Sequence, residues 1–221
     1  MLSDLFRAGY ESYTCGGVAA WQGVPMRYLD YARALRARSF AEEIDYWKGV
    51  LDDSELVLHL PTDRPVPAER SQHGAVERLD LGPELSRCLT SFCRSTGLTV
   101  PGLFLAVYAM VLGRYCAQDD IIVGTTLLNR PGGHLERVVG FFANTVPLRI
   151  NLNGDPTVHA VLRRAQDVIF DALEHEATPF QQIVQAVQPS RNLSYSPVFR
   201  VMFGTERRHP NPKGPFPAPE L

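Results

Sequence analysis

No run of this 221-residue sequence approaches the ~20 consecutive apolar residues of a membrane-spanning helix. The first ten residues, MLSDLFRAGY, lack the basic start and unbroken apolar core of a secretory signal. A soluble, cytoplasmic protein with no membrane partner is therefore the expectation. Clustered positive charge is also missing beyond the pair Arg207-Arg208, and the net charge is −2. Phosphate backbones need concentrated Lys and Arg, so nucleic acid is excluded as the expected partner. The four cysteines, Cys15, Cys88, Cys93 and Cys116, form no CxxC pair, which removes zinc-ribbon and thioredoxin-type motifs. Reduced core cysteines are expected instead. The histidines at 59, 73, 134, 159, 175 and 209 are isolated from one another, so no helical His pair is available to hold a metal. There is no GxSxG elbow and no phosphate-binding loop, since the RPGGH segment lacks the Lys-Ser/Thr ending.

What is present is a chain 45% hydrophobic, long enough to bury a substantial core. Residues 2–13 read as a short amphipathic helix. Residues 27–51 read as one long helix or two broken near Ser39. Prolines 61, 65 and 67 then impose an extended crossing segment. Ala75–Leu81 alternates apolar and polar as a half-buried strand does. Pro83–Thr96 is the clearest helix, with proline in its first turn, Gly97 as its stop, and a stripe of Leu85, Cys88, Leu89, Phe92 and Cys93. Pro101 to about Cys116 is apolar nearly all round, predicting a buried helix. IIVGTTLL (121–128) predicts a buried strand. Thr157–His175 predicts an amphipathic helix with Val158, Val161, Leu162, Ala165, Val168, Ile169 and Leu173 inside. Pro179–Val187 predicts a short helix and Val198–Phe203 a strand. Helices and strands alternate without an internal repeat, which gives an α/β chain. The proline-rich end, residues 207–221, has no packing pattern.

The stretch VVGFFANTVPLRI, residues 138–150, poses the sharpest question. It reads as a buried strand, yet Asn144 and Thr145 lie within it. Burying an amide and a hydroxyl is costly unless each finds a partner. Two readings stand equal: a strand whose polar groups satisfy a local edge or turn, or the wall of a site. Gly140 fits either, through a tight turn or a close approach. Asp119-Asp120 reads as a solvated turn before a strand.

Taken in order, the short motifs resemble the condensation domain of nonribosomal peptide synthetases, from about residue 2 to about residue 206. Tyr28-Leu29-Asp30-Tyr31-Ala32 resembles YxDFAVW, with Ala34 where the family has Trp. Tyr46-Trp47 followed by Leu60-Pro61-Thr62-Asp63-Arg64-Pro65 resembles YW…LPTDRP. Arg114-Tyr115, Gln118-Asp119-Asp120, Ile122-Val123-Gly124-Thr125 and Asn129-Arg130-Pro131 resemble RYSGQDDIVVGTPVANRP. Residues 140–149 resemble GxFVNTxxxR, with Ala143 for Val. His175-Glu176-Ala177-Thr178-Pro179-Phe180 resembles (H/N)QDxPF. Arg191 to Pro197 resembles RDxSRNP, departing at Asn192, Tyr195 and Ser196.

The resemblance implies a chloramphenicol acetyltransferase-like α/β fold of two lobes forming a V, present here as a fragment. Residues 1–75 would be the end of the N-terminal lobe, residues 76–206 an incomplete C-terminal lobe, and residues 207–221 a tail. It implies a tunnel to which peptidyl or acyl carrier proteins deliver phosphopantetheine-linked thioesters, with no cofactor bound directly and no metal. An acceptor amine attacks the donor thioester to form an amide. The family's chemistry sits on HHxxxDG, which this sequence does not contain, so no catalytic residue is assigned. The expected tunnel or motif residues are Arg130, Gly140, Phe142, Asn144 and Thr145, with Asn144 facing the carrier arm. Arg130 would pair with the Asp of HHxxxDG, and without it would be solvated or paired with another carboxylate. Tyr28, Asp30, Pro179, Phe180, Arg191, Ser194 and Pro197 are expected to be structural. Neighbouring synthetase domains, the missing lobe portion or a second copy would be further partners. Two alternatives keep the fold and change the activity: a non-catalytic relative that recruits carrier proteins or tailoring enzymes, and another acyltransferase.

Overall fold

The computed structural model describes residues 9–10, 12–15, 26–65, 73–130, 133, 135–136, 138–187 and 197–206. Residues 9–10 and 12–15 are helical, and the rest of the expected first helix lies outside the described residues, as do Arg191, Ser194 and the 207–221 tail. The 27–51 region is two helices, α1 (Tyr28–Ala37) and α2 (Ala41–Leu51). The break falls at Arg38, whose extended backbone (ψ 135°) turns the chain so that Phe40 is buried as the cap of α2. Residues 52–65 are irregular. They are fastened down by side chains rather than by a ladder. The Gln118 amide donates to the Val57 carbonyl and accepts from the His59 N–H, and Arg200 donates to the Leu58 carbonyl.

Helix α3 (Gly82–Thr96) and helix α4 (Val100–Cys116) follow. Gly97 ends α3 in the left-handed region (φ 70°), where a side chain would be strained. Thr99 caps α4, its Oγ1 accepting from the Gly102 N–H at 3.1 Å. The Thr99 N–H and hydroxyl both donate to Gln166 Oε1 at 2.8 Å, tying α4 to α5 (Val158–Glu174), whose own cap is Thr157. Strands β1 (Asp120–Leu127) and β2 (Asn144–Asn151) pair antiparallel along their whole length, and the two-residue β3 (Met202–Phe203) joins the other side of β1 in parallel. The order is β2-β1-β3. Pro147 sits in β2, an edge strand of this sheet, where a missing N–H is tolerated. Gly124 of β1 lies against the Phe199 ring, and a methyl group there would overlap it. Helices α4 and α5 pack on one another and on the sheet, and α2 packs on α6 (Phe180–Val187).

One core joins these elements. Trp47, Leu51 and Leu58 share it with Leu105, Ile121, Val146, Ile150, Val161, Ile183 and Val198. Residues 40–60 thus pack with the segment after residue 76.

Several expectations differ from the structure. Ala75–Leu81 is not a strand: Val76 and Leu79 are exposed, and alternation has no value without a neighbouring strand to pair with. The α3 stripe is largely unburied: Cys93 is buried in the core and Leu89 packs against it half-buried, while Leu85, Cys88 and Phe92 are exposed. Cys15 is exposed as well, so only Cys93 and Cys116 are core cysteines. Helix α4 buries one face only, leaving Val107, Val111 and Tyr115 to solvent, and in α5 Val158 and Leu173 are exposed. Finally, the 138–150 stretch becomes a strand only from Asn144 onward, and β3 is shorter than expected. Residues 138–142 serve a different purpose.

Candidate functional site

At the C-terminal end of β1 the backbone turns at Asn129, which holds a positive φ of 46° and is buried. This turn aims Arg130 beneath the following loop. One Arg130 amino group donates to the carbonyls of Leu135 (2.6 Å) and Val138 (2.9 Å), and the other to that of Gly140 (3.3 Å). The guanidinium also lies 4.1 Å from the centre of the Phe142 ring. The expected carboxylate partner is replaced by three backbone carbonyls. A charged fork with five fixed donors suits this task, holding an irregular loop that has no ladder to satisfy its own carbonyls.

The loop is closed from the other side by α1. The Tyr28 ring packs on Gly140, where any Cβ would collide with it, and the Tyr28 hydroxyl donates to the Phe141 carbonyl at 2.7 Å. Phe142 points inward, edge-on to Tyr28 (5.3 Å) and near Tyr31 (4.7 Å). With Leu135, Val138, Met26 and Tyr31 it forms a small core separate from the main one. Gly140 is therefore glycine because an aromatic ring needs the space.

Asn144, the first residue of β2, reaches across to the α5–α6 turn. Its amide donates to the carbonyls of Glu176 (2.8 Å) and Thr178 (2.6 Å), and its Oδ1 accepts from the Phe180 N–H (3.2 Å). Both ends of the amide are engaged inside the chain, so the local-turn reading describes it and the expectation that it faces a carrier arm does not. Thr145 sits opposite Thr126 in the ladder. Pro179 and Phe180 open α6, with Pro179 accepting from Gln182 and Ile183 through its carbonyl. Phe180 packs on Phe199 at 5.5 Å. Asp30 stands apart, paired with Arg27 and Arg33 on the surface. Its carboxyl is held below the usual range, chiefly by the Arg27 hydrogen bond. Pro197 is half-buried just before Val198.

The same turn gathers residues to which sequence reasoning gave no separate role. His175 stacks on Tyr46 at 3.6 Å. Burial, then the Asp171 and Glu174 carboxylates, push the Tyr46 phenol up to about 12, so it stays protonated. Glu176 accepts from the Asn129 N–H, yet burial outweighs that bond and raises its carboxyl above the ordinary value. Tyr31 and Tyr46 lie inside motif segments, which is the signal the sequence offers; their contacts are made by residues far along the chain.

The raised Glu176 group has a pH signature. Its contribution to stability is fully present below the ordinary carboxyl value of 4.5 and is lost as pH rises through the higher folded value. Glu176→Gln keeps an acceptor for Asn129 and removes the charge. The variant is expected to melt above the parent at pH 7 and level with it near pH 3.5, read by thermal denaturation across that range. A gap that stays constant with pH would contradict this account.

Arg149, at the far end of β2, completes the anchoring. It binds Asp120 bidentately (2.8 and 2.8 Å) and donates to the carbonyls of Val50 and Asp52 at the end of α2. A recess of about 510 Å³ lies between the end of α2 and the end of α6, lined by Lys48, Asp52, Asp53, Ser54 and Val187 among others. None of residues 129–144 or 175–180 lines it. Among the described residues no three His, Cys, Asp or Glu side chains gather as a metal site, and no single helix is long and apolar enough to cross a membrane.

A family model described as Condensation domain matches residues 1–209. A linear gramicidin synthase polypeptide of Brevibacillus parabrevis is 36% identical over 201 residues, covering 89% of this chain and 4% of that protein. Malpinin synthetase of Mortierella alpina is 33% identical over 207 residues, covering 92% of this chain and 3% of that protein. The chain thus spans only a few per cent of the length of these two relatives. Among solved structures, the X-domain from teicoplanin biosynthesis superposes with a TM-score of 0.80 at 29% identity, over 89% of this chain and 45% of that one. The first condensation domain of the calcium-dependent antibiotic synthetase superposes at 0.63 and 20% identity over 80% of this chain and 39% of that one, a likeness of fold.

Proposed function

The chain belongs to the condensation-domain family, with its α/β fold, and we propose that it serves as part of a nonribosomal peptide synthetase condensation domain. In this reading it helps form an amide between a carrier-bound thioester donor and an amine acceptor, the carriers bringing phosphopantetheine to it. The observation that carries the reading is convergence. Tyr28, Arg130, Gly140–Asn144 and His175–Phe180, dispersed over some 150 residues, meet at one end of the sheet. Their bonds tie two loops together, and the 221 residues contain no HHxxxDG. The chain contributes scaffold and wall, with residues 1–75 as the end of one lobe and 76–206 as most of the other. A general base must come from a segment bearing that motif.

The test supplies the chain with a donor thioester and an acceptor amine on carrier domains, with and without a polypeptide bearing HHxxxDG, and follows carrier-bound product by mass spectrometry. Product only in the complemented mixture is the expected result. Product from the chain alone would place the base within it.

A second reading is favoured by the likeness to the teicoplanin X-domain, a protein also solved in complex with OxyB. Here the chain recruits a carrier or tailoring enzyme without turnover. Carrier binding with no product in the complemented mixture selects this reading.

A further inference from the structure

The exit of β1 meets the α5–α6 turn at two polar side chains, Asn129 and Glu176. Asn129 is 5% exposed and holds its left-handed backbone just before Arg130. Its N–H donates to the Glu176 carboxyl, yet its buried Oδ1 has no hydrogen-bond partner among the described residues. An amide oxygen buried without a donor is costly. The donors of the same site are spent elsewhere. Arg130 gives its N–H groups to the carbonyls of Leu135, Val138 and Gly140, and the Asn144 amide serves those of Glu176 and Thr178. The buried Thr178 hydroxyl makes no bond to it. Glu176 has its backbone fixed by Asn144, while its half-buried carboxyl faces Asn129. An ionised carboxylate only accepts, whereas a carboxylic acid carries an acceptor oxygen and an O–H donor side by side. Asn129 offers the matching pair from one residue, an N–H and an Oδ1.

We infer that Glu176 and Asn129 form a proton-dependent clasp: the Glu176 carboxylic acid accepts from the Asn129 N–H and donates its O–H to Asn129 Oδ1, tying the β1 exit to the α5–α6 turn. The proton comes from solvent and returns to it as pH rises. The clasp then keeps one bond and sets a carboxylate against a buried oxygen. Burial, which raises the Glu176 carboxyl, favours the acid form in the folded chain. The clasp is therefore fully closed below the ordinary value of 4.5 and is lost as pH rises through the folded value. Asn129 precedes the arginine that holds the 135–140 carbonyls, and Asn144 joins the same turn to β2, so acid tightens both loops and base slackens them. Few charges compete around the carboxyl. From α1 comes Tyr31, whose phenol is raised chiefly by burial, then by Tyr28 and by Glu176. From the β1 exit comes Arg130, its fork held by three carbonyls and the Phe142 ring. From the end of α5 come Glu174 and His175, the latter stacked on Tyr46. β2, the turn and α6 bring Asn144, Thr178 and Phe180, none of which titrates. This device stands apart from the carrier-dependent reading and does not rest on it.

The experiment titrates the full chain, labelled with carbon-13 at the side-chain carbonyl carbons of Glu and Asn, by NMR from about pH 4 to about pH 8. The Glu176 signal is identified by its loss in Glu176→Gln, and the Asn129 signal by its loss in Asn129→Gly. Glu176 is expected to titrate above 4.5, with the Asn129 side-chain carbonyl shifting through the same midpoint. Asn129→Gly keeps the N–H and the left-handed turn and removes Oδ1, so the Glu176 midpoint should fall toward 4.5. Glu176→Gln presents a donor and an acceptor at every pH. Amide exchange of residues 135–142, corrected for its intrinsic pH dependence, should therefore stay level in that variant. In the parent it should quicken with pH, by up to about tenfold per unit by which the folded value exceeds 4.5. An Asn129 carbonyl that stays still while Glu176 titrates overturns the clasp, as does a Glu176 midpoint at or below 4.5. A midpoint unchanged in Asn129→Gly assigns the shift to burial alone and overturns it too. Exchange that matches in parent and Glu176→Gln across the range overturns the link to the loops. Should Asn129→Gly fail to fold, Asn129→Asp identifies the Asn129 signal and the paired titration in the parent decides.

Discussion

Replacing Asn144 by alanine is expected to lower the stability of the fold by about 3–5 kcal/mol, because it orphans three backbone groups at once. The amide holds the carbonyls of Glu176 and Thr178 and the N–H of Phe180, and Thr178 is fully buried. Water reaches the buried Thr178 carbonyl only by opening the turn, and each buried group left unpaired costs roughly 1–3 kcal/mol. Asn144→Asp is the sharper variant. It keeps the acceptor for Phe180 and sets a charged oxygen against two carbonyls, so it should be at least as destabilising as alanine at pH 7. The loss should ease in acid, where a protonated carboxyl can donate again. Chemical denaturation at pH 7 and pH 4 measures both. If alanine and aspartate each cost under about 1 kcal/mol, the turn is held by something else. The consequence reaches further by position: Asn144 starts β2 directly after the clamped 138–142 loop, so loosening the α5–α6 turn also loosens that loop.

The contrast between what sequence reasoning reached and what it missed has a physical pattern. Helices α3 and α5 were legible because their signals are local: a proline or threonine at the start, a glycine in the left-handed region at the end, apolar residues at helical spacing. Which side of α3 would be buried was not legible, since Leu85 and Phe92 match the stripe yet lie exposed. Periodicity says that an element has an apolar face and cannot say that a partner covers it. Ala75–Leu81 fails for the same reason. The family motifs name residues that the fold brings together, while their contacts come from long-range geometry. Asn144 finds partners 32 to 36 positions away and Tyr28 one 113 positions away. Arg130 finds its partners within ten residues. The carboxylate partner was an expectation of the resemblance, whose Asp-bearing motif this sequence does not contain, while the left-handed turn falls on an Asn, a residue that tolerates it.

Trp47→Ala should remove about 3–5 kcal/mol and lower the melting temperature by roughly 6–20 °C. Trp47 is 1% exposed, the largest side chain wholly within the core. It sits edge-on to Tyr46 at 5.1 Å and to His175 at 6.4 Å. Its helix, α2, joins the rest of the molecule by packing on α6 and by the Arg149 bonds at its end. Truncating the indole therefore opens a cavity where those elements meet and withdraws support from the Tyr46–His175 stack. The indole Nε1 has no acceptor among the described residues, so Trp47→Phe loses packing alone and should cost less than half as much. Calorimetry of the two variants separates the contributions. Equal losses would mean that the indole N–H is bonded in solution. A loss under about 1 kcal/mol for alanine would mean that α2 is not integral to this core, and residues 40–60 would then belong with the lobe before residue 76 rather than with the sheet they touch.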